Sequence, residues 1–350
     1  MTTITDSWNT AKKLIDDARH IVVLQAENPD GDSLGSALAL EALLSEYGKE
    51  VSLYCRVIMP AHLHYMPGWD RVNDTLPKTF DLTIVVDSSV QNLFSKTFSP
   101  ENVAAFQKGG MIIFDHHSSF SAEDHLDRLF TKAVTINEPA FVATGELLYK
   151  WAEATDMPLP QDACEHMTAS ILSDSLGLMS EGTSANTVLT VSELMKRGVS
   201  LSTLEQRRRE VMHKSPEILA YKGLLLQRVE YHLEQQLALV RIPWKEIAQF
   251  SDQYNPSILV LDEMRLVDKV RLTVAIKTYP DGKLTAKLRA NPNGKVAAEV
   301  AMHFGGGGHP YAAGFKVYTD DPETVIHEMV GVIGEKLREY DATRTTTEPC

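Results

Sequence analysis

The 350-residue chain is short of cysteine, aromatic residues, long apolar runs and net positive charge, and each shortage excludes something. Its three cysteines, Cys55, Cys164 and Cys350, form neither a CxxC pair nor the even-numbered framework of a disulfide-stapled secreted domain. The longest apolar runs, such as Ile-Val-Val-Leu at 21–24, fall far short of a membrane span. The opening residues, Met1 to Ser7, carry neither the basic nor the apolar region of a secretory signal. These features lead us to expect a cytoplasmic protein with no membrane association. Lys and Arg number 34 against 47 Asp and Glu, for a formal charge of −13. Grip on long nucleic acid is dominated by basic side chains on phosphates, so this balance argues against it. Aromatic residues are 7%, and the one basic cluster, Arg207-Arg208-Arg209, is brief enough to read as a solvated helix face. A processive exonuclease on long single strands would need a basic track with stacking aromatics, and neither is evident. A site for short nucleotides stays open, with part of the acidic surplus placed in a metal centre.

What is present points to an α/β protein of two domains. Short apolar runs at 20–24, 51–54, 82–86, 111–114 and 133–136 read as strands, alternating with helical patterns at 33–47, 142–153 and 162–172. This is the signature of a parallel sheet and covers 1–183. Residues 184–231 are almost wholly helical and read as a linker. A smaller α/β domain follows over 232–340, with hairpins turned at Glu234-Gln235 and at Pro280-Asp281-Gly282. It continues with a helix at 296–304, the run Gly305-Gly306-Gly307-Gly308-His309, a strand at 313–317 and a helix at 323–339. Residues 341–350 read as a flexible tail.

Three predicted strands end on acidic or imidazole groups: the first runs into Asp30-Gly31-Asp32, the third into Asp87, and the fourth into Asp115-His116-His117. Ligands of open α/β sheets bind outside the carboxyl ends of strands, so these scattered residues can converge. Asp174, just past the helix predicted at 162–172, adds a further carboxylate. Taken singly, each Asp has a plainer reading as a turn former or helix cap, Asp32 before its helix above all. Capping does not explain all of these elements at strand ends. Carboxylates crowded together repel one another and are costly to bury unpaired, and divalent cations remove that cost. Oxygen ligands with an imidazole suit Mn²⁺ or Mg²⁺, and a pair of such ions can generate hydroxide and stabilise a phosphoryl group in transfer. The glycine run can be a flexible loop, a close approach of backbones, or a set of N–H groups facing an anion beside His309. It lacks the Lys-Ser/Thr end of a P-loop. Arg289, at the end of a predicted strand, can offer phosphate a forked donor.

The segments Asn28-Pro29-Asp30-Gly31-Asp32-Ser33-Leu34-Gly35-Ser36, Asp115-His116-His117 and Gly305-Gly306-Gly307-Gly308-His309-Pro310-Tyr311-Ala312-Ala313-Gly314-Phe315 resemble the DHH phosphoesterase superfamily. The last segment is similar to the DHH-associated domain of the nano-RNase and phosphoadenosine-phosphate phosphatase branch. The resemblance runs from about Ser7 to Lys336. It implies a manganese-dependent phosphoesterase with two Mn²⁺, Mg²⁺ being the alternative ion, and an active site in the cleft between the two domains. The implied ligands are Asp30, Asp32, Asp87, His116 and Asp174, with Asp87 bridging. His117 would meet the scissile phosphate and assist the leaving oxygen, and Asp115 would orient the histidines. Arg289, Gly306, Gly307, Gly308 and His309 would hold the terminal phosphate and nucleotide. A homodimer is also in keeping with the family. Two departures stand out. A family histidine is replaced by Ala26, leaving Gln25, Glu27 or water in its stead, or a weakened first metal site. Asp174 is followed by Ser-Leu-Gly-Leu where many relatives have Thr-Gly and an aromatic residue.

The expected activity is metal-hydroxide attack on phosphorus in short nucleotides: oligoribonucleotides of a few residues, phosphoadenosine phosphate, or linear and cyclic dinucleotides. The alternative, motivated by Ala26, is a nucleotide-binding regulatory protein with weakened catalysis.

Overall fold

The computed structural model describes residues 4–345 apart from 101, 118–124, 131 and 252. The chain divides into two units, Met1–His213 and Lys214–Cys350. The first contains α1 (Ile4–Asp17), β1 (His20–Leu24), α2 (Gly31–Glu46), β2 (Glu50–Tyr54), β3 (Leu82–Val86), α3 (Val103–Phe106) and β4 (Gly110–Asp115). It continues with β5 (Ala133–Asn137), α4 (Thr144–Ala154), α5 (Gln161–Asp174), α6 (Ala185–Lys196) and α7 (Leu201–Val211). Its strands form one parallel sheet in the order β2-β1-β3-β4-β5. All five residues of β3 are buried, as expected of a strand covered on both faces.

On one face, Ile21, Val23, Ile84 and Val86 pack with α1, α2, α4 and α5. On the other, Val22, Leu24, Val85 and Ile113 meet Phe94, Phe106 and Phe130. The strand order reverses direction between β1 and β3, which makes that gap the switch point where α/β sheets bind ligands. Helix α2, leading away from it, is buried along Gly31 to Leu40, and its packing against α5 is close. A Cβ on Gly35 would stand 2.8 Å from the His166 carbonyl oxygen, so only glycine fits there without displacing α5.

The stretch read as a linker is divided between the units. Val191, Leu194, Val199 and Leu204, of α6, α7 and the turn between them, bury themselves in the first core. Arg207 of the basic cluster pairs with Glu165 on α5, while Arg208 and Arg209 pair with Glu205. Helix α8 (Pro216–Gln227) belongs to the second unit, where Ile218, Tyr221 and Leu225 pack with Val240 and Phe250. An apolar stripe on each helix, rather than a solvated connector, is the physical reason for the difference.

The second unit adds β6 (Glu230–His232), β7 (Leu237–Ile242), α9 (Trp244–Phe250), α10 (Leu261–Arg265), β8 (Leu272–Thr278) and β9 (Lys283–Ala290). It closes with α11 (Ala297–His303), β10 (Gly307–His309), β11 (Ala312–Tyr318) and α12 (Pro322–Thr345). The sheet order is β10-β11-β9-β8-β7-β6, antiparallel except for β7 against β8. The predicted tail is corrected in part: α12 runs past Tyr340 to Thr345, and Asp341 on its last turns pairs with Arg271 at 2.6 Å. The remainder of that tail, 346–350, lies outside the described residues. Among the described residues, no helix is long and apolar enough to cross a membrane.

The contact at Gly35 predicts that Gly35→Val destabilises the first unit by about 1–3 kcal/mol, the usual cost of overpacking. Denaturant midpoints at unchanged m-value measure it; a variant as stable as the parent would mean that α5 yields freely at this point.

Candidate metal centre

Each acidic side chain of the first unit's strand ends is set by its local backbone. Asp30, not Asp32, is the N-cap of α2: its carboxylate accepts the Ser33 N–H at 3.0 Å, and Ser33 Oγ accepts the Asp30 N–H in return. That leaves Asp32 in the first turn, fully buried. Its Oδ1 accepts from Ser36 Oγ at 3.0 Å, from the Gly145 N–H at 3.3 Å and from Ser170 Oγ. Oδ2 accepts the Thr144 N–H at 2.7 Å. Two of these donors belong to the first turn of α4, whose unpaired N–H groups favour an anion.

Asp87 follows β3 with φ +61°, a left-handed conformation that Asp tolerates better than most residues and that turns its side chain out of the strand pattern. Its N–H still donates to the Phe114 carbonyl, and its Oδ1 accepts from Thr144 Oγ1 at 3.2 Å. Asp174 ends α5, after which the chain turns through Leu176, Gly177 and Leu178, all at positive φ.

His116 is the meeting point. Its Nδ1–H donates to the Phe141 carbonyl at 3.3 Å, which leaves Nε2 to face the carboxylates. Asp32 Oδ2 and Asp174 Oδ2 lie 3.3 Å from Nε2 and Asp87 Oδ1 lies 3.5 Å away, yet Nε2 makes no well-directed hydrogen bond. A buried ring nitrogen ringed by oxygens and partnered by none suits a cation held among them, and the hydrogen bond at the far nitrogen is the support a metal-binding imidazole commonly has. Two sets of ligand atoms, each within 4.8 Å of one another, share this histidine: Asp32, His116 and Asp174, and Asp87, His116 and His117.

The electrostatics agree. Burial, together with the charge of Asp32, raises the Asp87 carboxyl well above its ordinary range. Burial likewise lifts Asp174 to about 6. Burial alone would lower His116, but the carboxylates of Asp174, Asp87 and Asp32 outweigh it and push the imidazole up to about 11. Without a cation, the cluster therefore holds protons that an ion would replace. His117 differs: its side chain is half-exposed, and its Nδ1–H donates to Asp115 Oδ1 at 2.8 Å. That bond raises the His117 pKa. Asp115 is fully buried, which would raise it, but hydrogen bonds from His117 and Ser89 hold it below the usual carboxylate value.

Of the predicted site residues, Asp32, Asp87, His116, His117 and Asp174 are brought together, with Asp115 behind His117. Asp30 joins neither set of ligand atoms, although its charge acts on Asp87 and Asp174. Ala26 is buried in the apolar cluster with Leu24, Tyr54 and Phe94. Glu27 accepts the N–H groups of Lys96 and Thr97, so its carboxylate is already engaged. Gln25 is fully buried, and neither end of its amide has a partner. Arg289 and the glycine run belong to the second unit. There Arg289, Ala312 and His309 form one row across β9, β11 and β10, which puts the arginine and the histidine on the same face. Gly307 and Gly308 are in a strand, while Gly305 and Gly306 precede it; a Cβ on Gly306 would fall 2.3 Å from the Gly314 carbonyl oxygen, so the backbones approach closely there. Thr144, Ser170, Ser89 and the Phe141 carbonyl escaped sequence reasoning. The start of α4 is a recognisable anion site, but no spacing rule ties it to an Asp 112 residues away.

Residues 20–179 match the family described as DHH family, N-terminal domain. The bifunctional oligoribonuclease and PAP phosphatase NrnA of Thermus thermophilus is 24% identical over 312 residues, covering 89% of this chain and 88% of that one. A probable bifunctional oligoribonuclease and PAP phosphatase NrnA of Streptococcus mutans is 23% identical over 320 residues, covering 89% and 94%. The crystal structure of an exopolyphosphatase-related protein from Bacteroides fragilis superposes with a TM-score of 0.82 at 20% identity, over 97% of this chain and all of that one. Residues 20–179 of the first unit thus resemble a DHH-family N-terminal domain, and both relatives are similar along most of the chain.

Because the cluster holds protons that a cation must displace, Mn²⁺ binding is predicted to release protons and to tighten as pH rises through the region near 6 where Asp174 ionises. Calorimetry in buffers of different ionisation enthalpy reads both effects. Binding that is no weaker at pH 5.5 than at pH 8, without proton release, would place the ion elsewhere.

Proposed function

We propose that this chain is a manganese-dependent phosphoesterase that hydrolyses short nucleotides, the class named for its NrnA relatives. The observation that carries this reading is the His116 Nε2 atom, buried without a hydrogen-bond partner among the carboxylates of Asp32, Asp87 and Asp174. We assign Asp32, Asp87, His116 and Asp174 as the residues that would hold the metal, with Asp30 as an outer carboxylate. When bound, the ions lower the pKa of water and neutralise charge on the phosphoryl oxygens.

The remaining work falls to the chain's own groups. His117 is exposed enough to meet a substrate, and its bond to Asp115 keeps a proton on the ring to higher pH than usual. It hands that proton to the leaving oxygen as general acid. Asp115, pinned by Ser89, fixes the tautomer and the ring plane. In the second unit, Arg289 and His309 share one sheet face on which a phosphate can be held, Arg289 by its forked donors. Gly306, Gly307 and Gly308 keep the backbone beside His309 free of side-chain bulk. Cys55 and Cys164 are buried free thiols, in keeping with a reducing cytoplasm. Ala26 is the one feature that favours a nucleotide-binding regulator instead, and turnover separates the two readings.

The test is release of mononucleotides from a ribodinucleotide and of phosphate from phosphoadenosine phosphate, each with Mn²⁺. Asp87→Ala is expected to abolish both, and equal activity in variant and parent would remove Asp87 from the site. His117→Ala should lower kcat by about 10²–10⁴-fold, the usual worth of a general acid, while leaving Mn²⁺ affinity within a few-fold. A kcat within twofold of the parent would assign the leaving-group proton to another donor.

A further inference from the structure

The exposed part of the second sheet carries more positive charge than one phosphate requires. Lys277, Thr285 and Lys316 form one row across β8, β9 and β11. The next row holds Ala275, Lys287 and Gly314, and the row after it Thr273, Arg289 and Ala312. Directly paired and alternate residues share a face, so Lys277, Lys316, Lys287 and Arg289 project from the same side. The positions between them are small. The result is an open pocket of about 480 Å³ whose lining includes Lys277, Lys287, Lys316, Ser257 and Gly314.

The chain offers these lysines little. Among the described residues no carboxylate forms an ion pair with Lys277, Lys287 or Lys316; Lys277 donates to the Asn255 side-chain oxygen at 2.8 Å, and the Lys316 ammonium stands 5.9 Å from the Tyr318 ring. Burial, with the neighbouring Lys287 charge, pulls the Lys277 ammonium down to about 8. Burial and Arg289 lower Lys287 in the same way. Ser257, which lines the pocket, is fully buried, and its hydroxyl has no hydrogen-bond partner. Lysines that guard sheet edges against aggregation are common, but β9 has neighbours on both sides and needs no such guard. Unpaired like charges beside an unsatisfied hydroxyl are what a phosphate would relieve.

We propose that Lys277, Lys287, Lys316 and Ser257 form a second anion subsite, which takes a further phosphate of a short nucleotide whose first phosphate lies at Arg289. Alternate residues along a strand stand ~7 Å apart, a span that suits successive phosphates on an extended strand. The proposal rests on the nucleotide reading above and extends it: the subsite makes the chain prefer a nucleotide with an additional phosphate.

Binding of 5′-phosphorylated ribotrinucleotide and ribodinucleotide to the full-length protein, measured by calorimetry in EDTA, tests this without turnover. The parent should favour the trinucleotide, and Lys277→Gln and Lys287→Gln should each weaken it by at least about fivefold, as expected for a charged hydrogen bond. The dinucleotide should change less than twofold, and Lys336→Gln, on α12, which packs against Leu288 on the opposite face of the sheet, should match the parent. Unchanged melting temperatures establish that the variants are folded. Equal affinity of the parent for both ligands, or an undiminished preference in both variants, overturns the subsite. Hydrolysis of both oligonucleotides by the Mn²⁺-loaded protein is scored separately. A lost preference without hydrolysis keeps the subsite and refutes the phosphoesterase reading; hydrolysis with an undiminished preference does the reverse.

Discussion

The first unit depends on how it tolerates negative charge at one end of its sheet. Asp32, Asp87 and Asp174 converge on a single imidazole nitrogen, with Asp32 fully buried and Asp87 nearly so. Like charges at this separation cannot all stay ionised in a poorly solvated site without a compensating positive charge. A proton on His116, together with burial that favours the protonated forms of Asp87 and Asp174, supplies it when no cation is bound, and a bound cation would replace it.

Much of the surrounding architecture follows from holding those groups still. The parallel sheet brings the ends of β1, β3 and β4 side by side, and the reversal of strand order opens a gap at the first two. The N-terminus of α4 points at Asp32, Thr144 joins Asp32 to Asp87 through its N–H and its hydroxyl, and Ser170 on α5 completes the set. Gly35 lets α5 come close enough to α2 for that last bond. The same chain of supports explains why His117, outside the crowded cluster but tied to Asp115, is left free to carry a proton.

The parallel sheet was legible because its strands are short apolar runs between turn signals, and the site because DGD, Asp and DHH fall at strand ends. The apportioning of roles was less so. Asp32 precedes a helical pattern and reads as a cap, yet the cap is Asp30, because the helix starts two residues earlier and Ser33 closes a capping box. Helices α6 and α7 read as a linker because the stretch is almost wholly helical and carries the basic cluster; the apolar side chains of Val191, Leu194 and Leu204 decide where they pack. The glycine run left three conformations open, and its pairing with Gly314 and Ala313 depends on tertiary contacts that spacing does not encode. The lysine rows of the second sheet were invisible for the same reason: Lys277, Lys287 and Lys316 are scattered until register aligns them.

The central claim is that Asp32, Asp87, His116 and Asp174 are a metal centre and not a proton-neutralised cluster. Anomalous diffraction at the manganese edge, from crystals of the full chain grown with Mn²⁺, tests it most directly. Anomalous density is expected within bonding distance of His116 Nε2 and of at least two of the three carboxylates, lost in Asp87→Ala or sharply weakened there. Strong density confined to other surface carboxylates, with His116 Nε2 still unligated at saturating Mn²⁺, would contradict it.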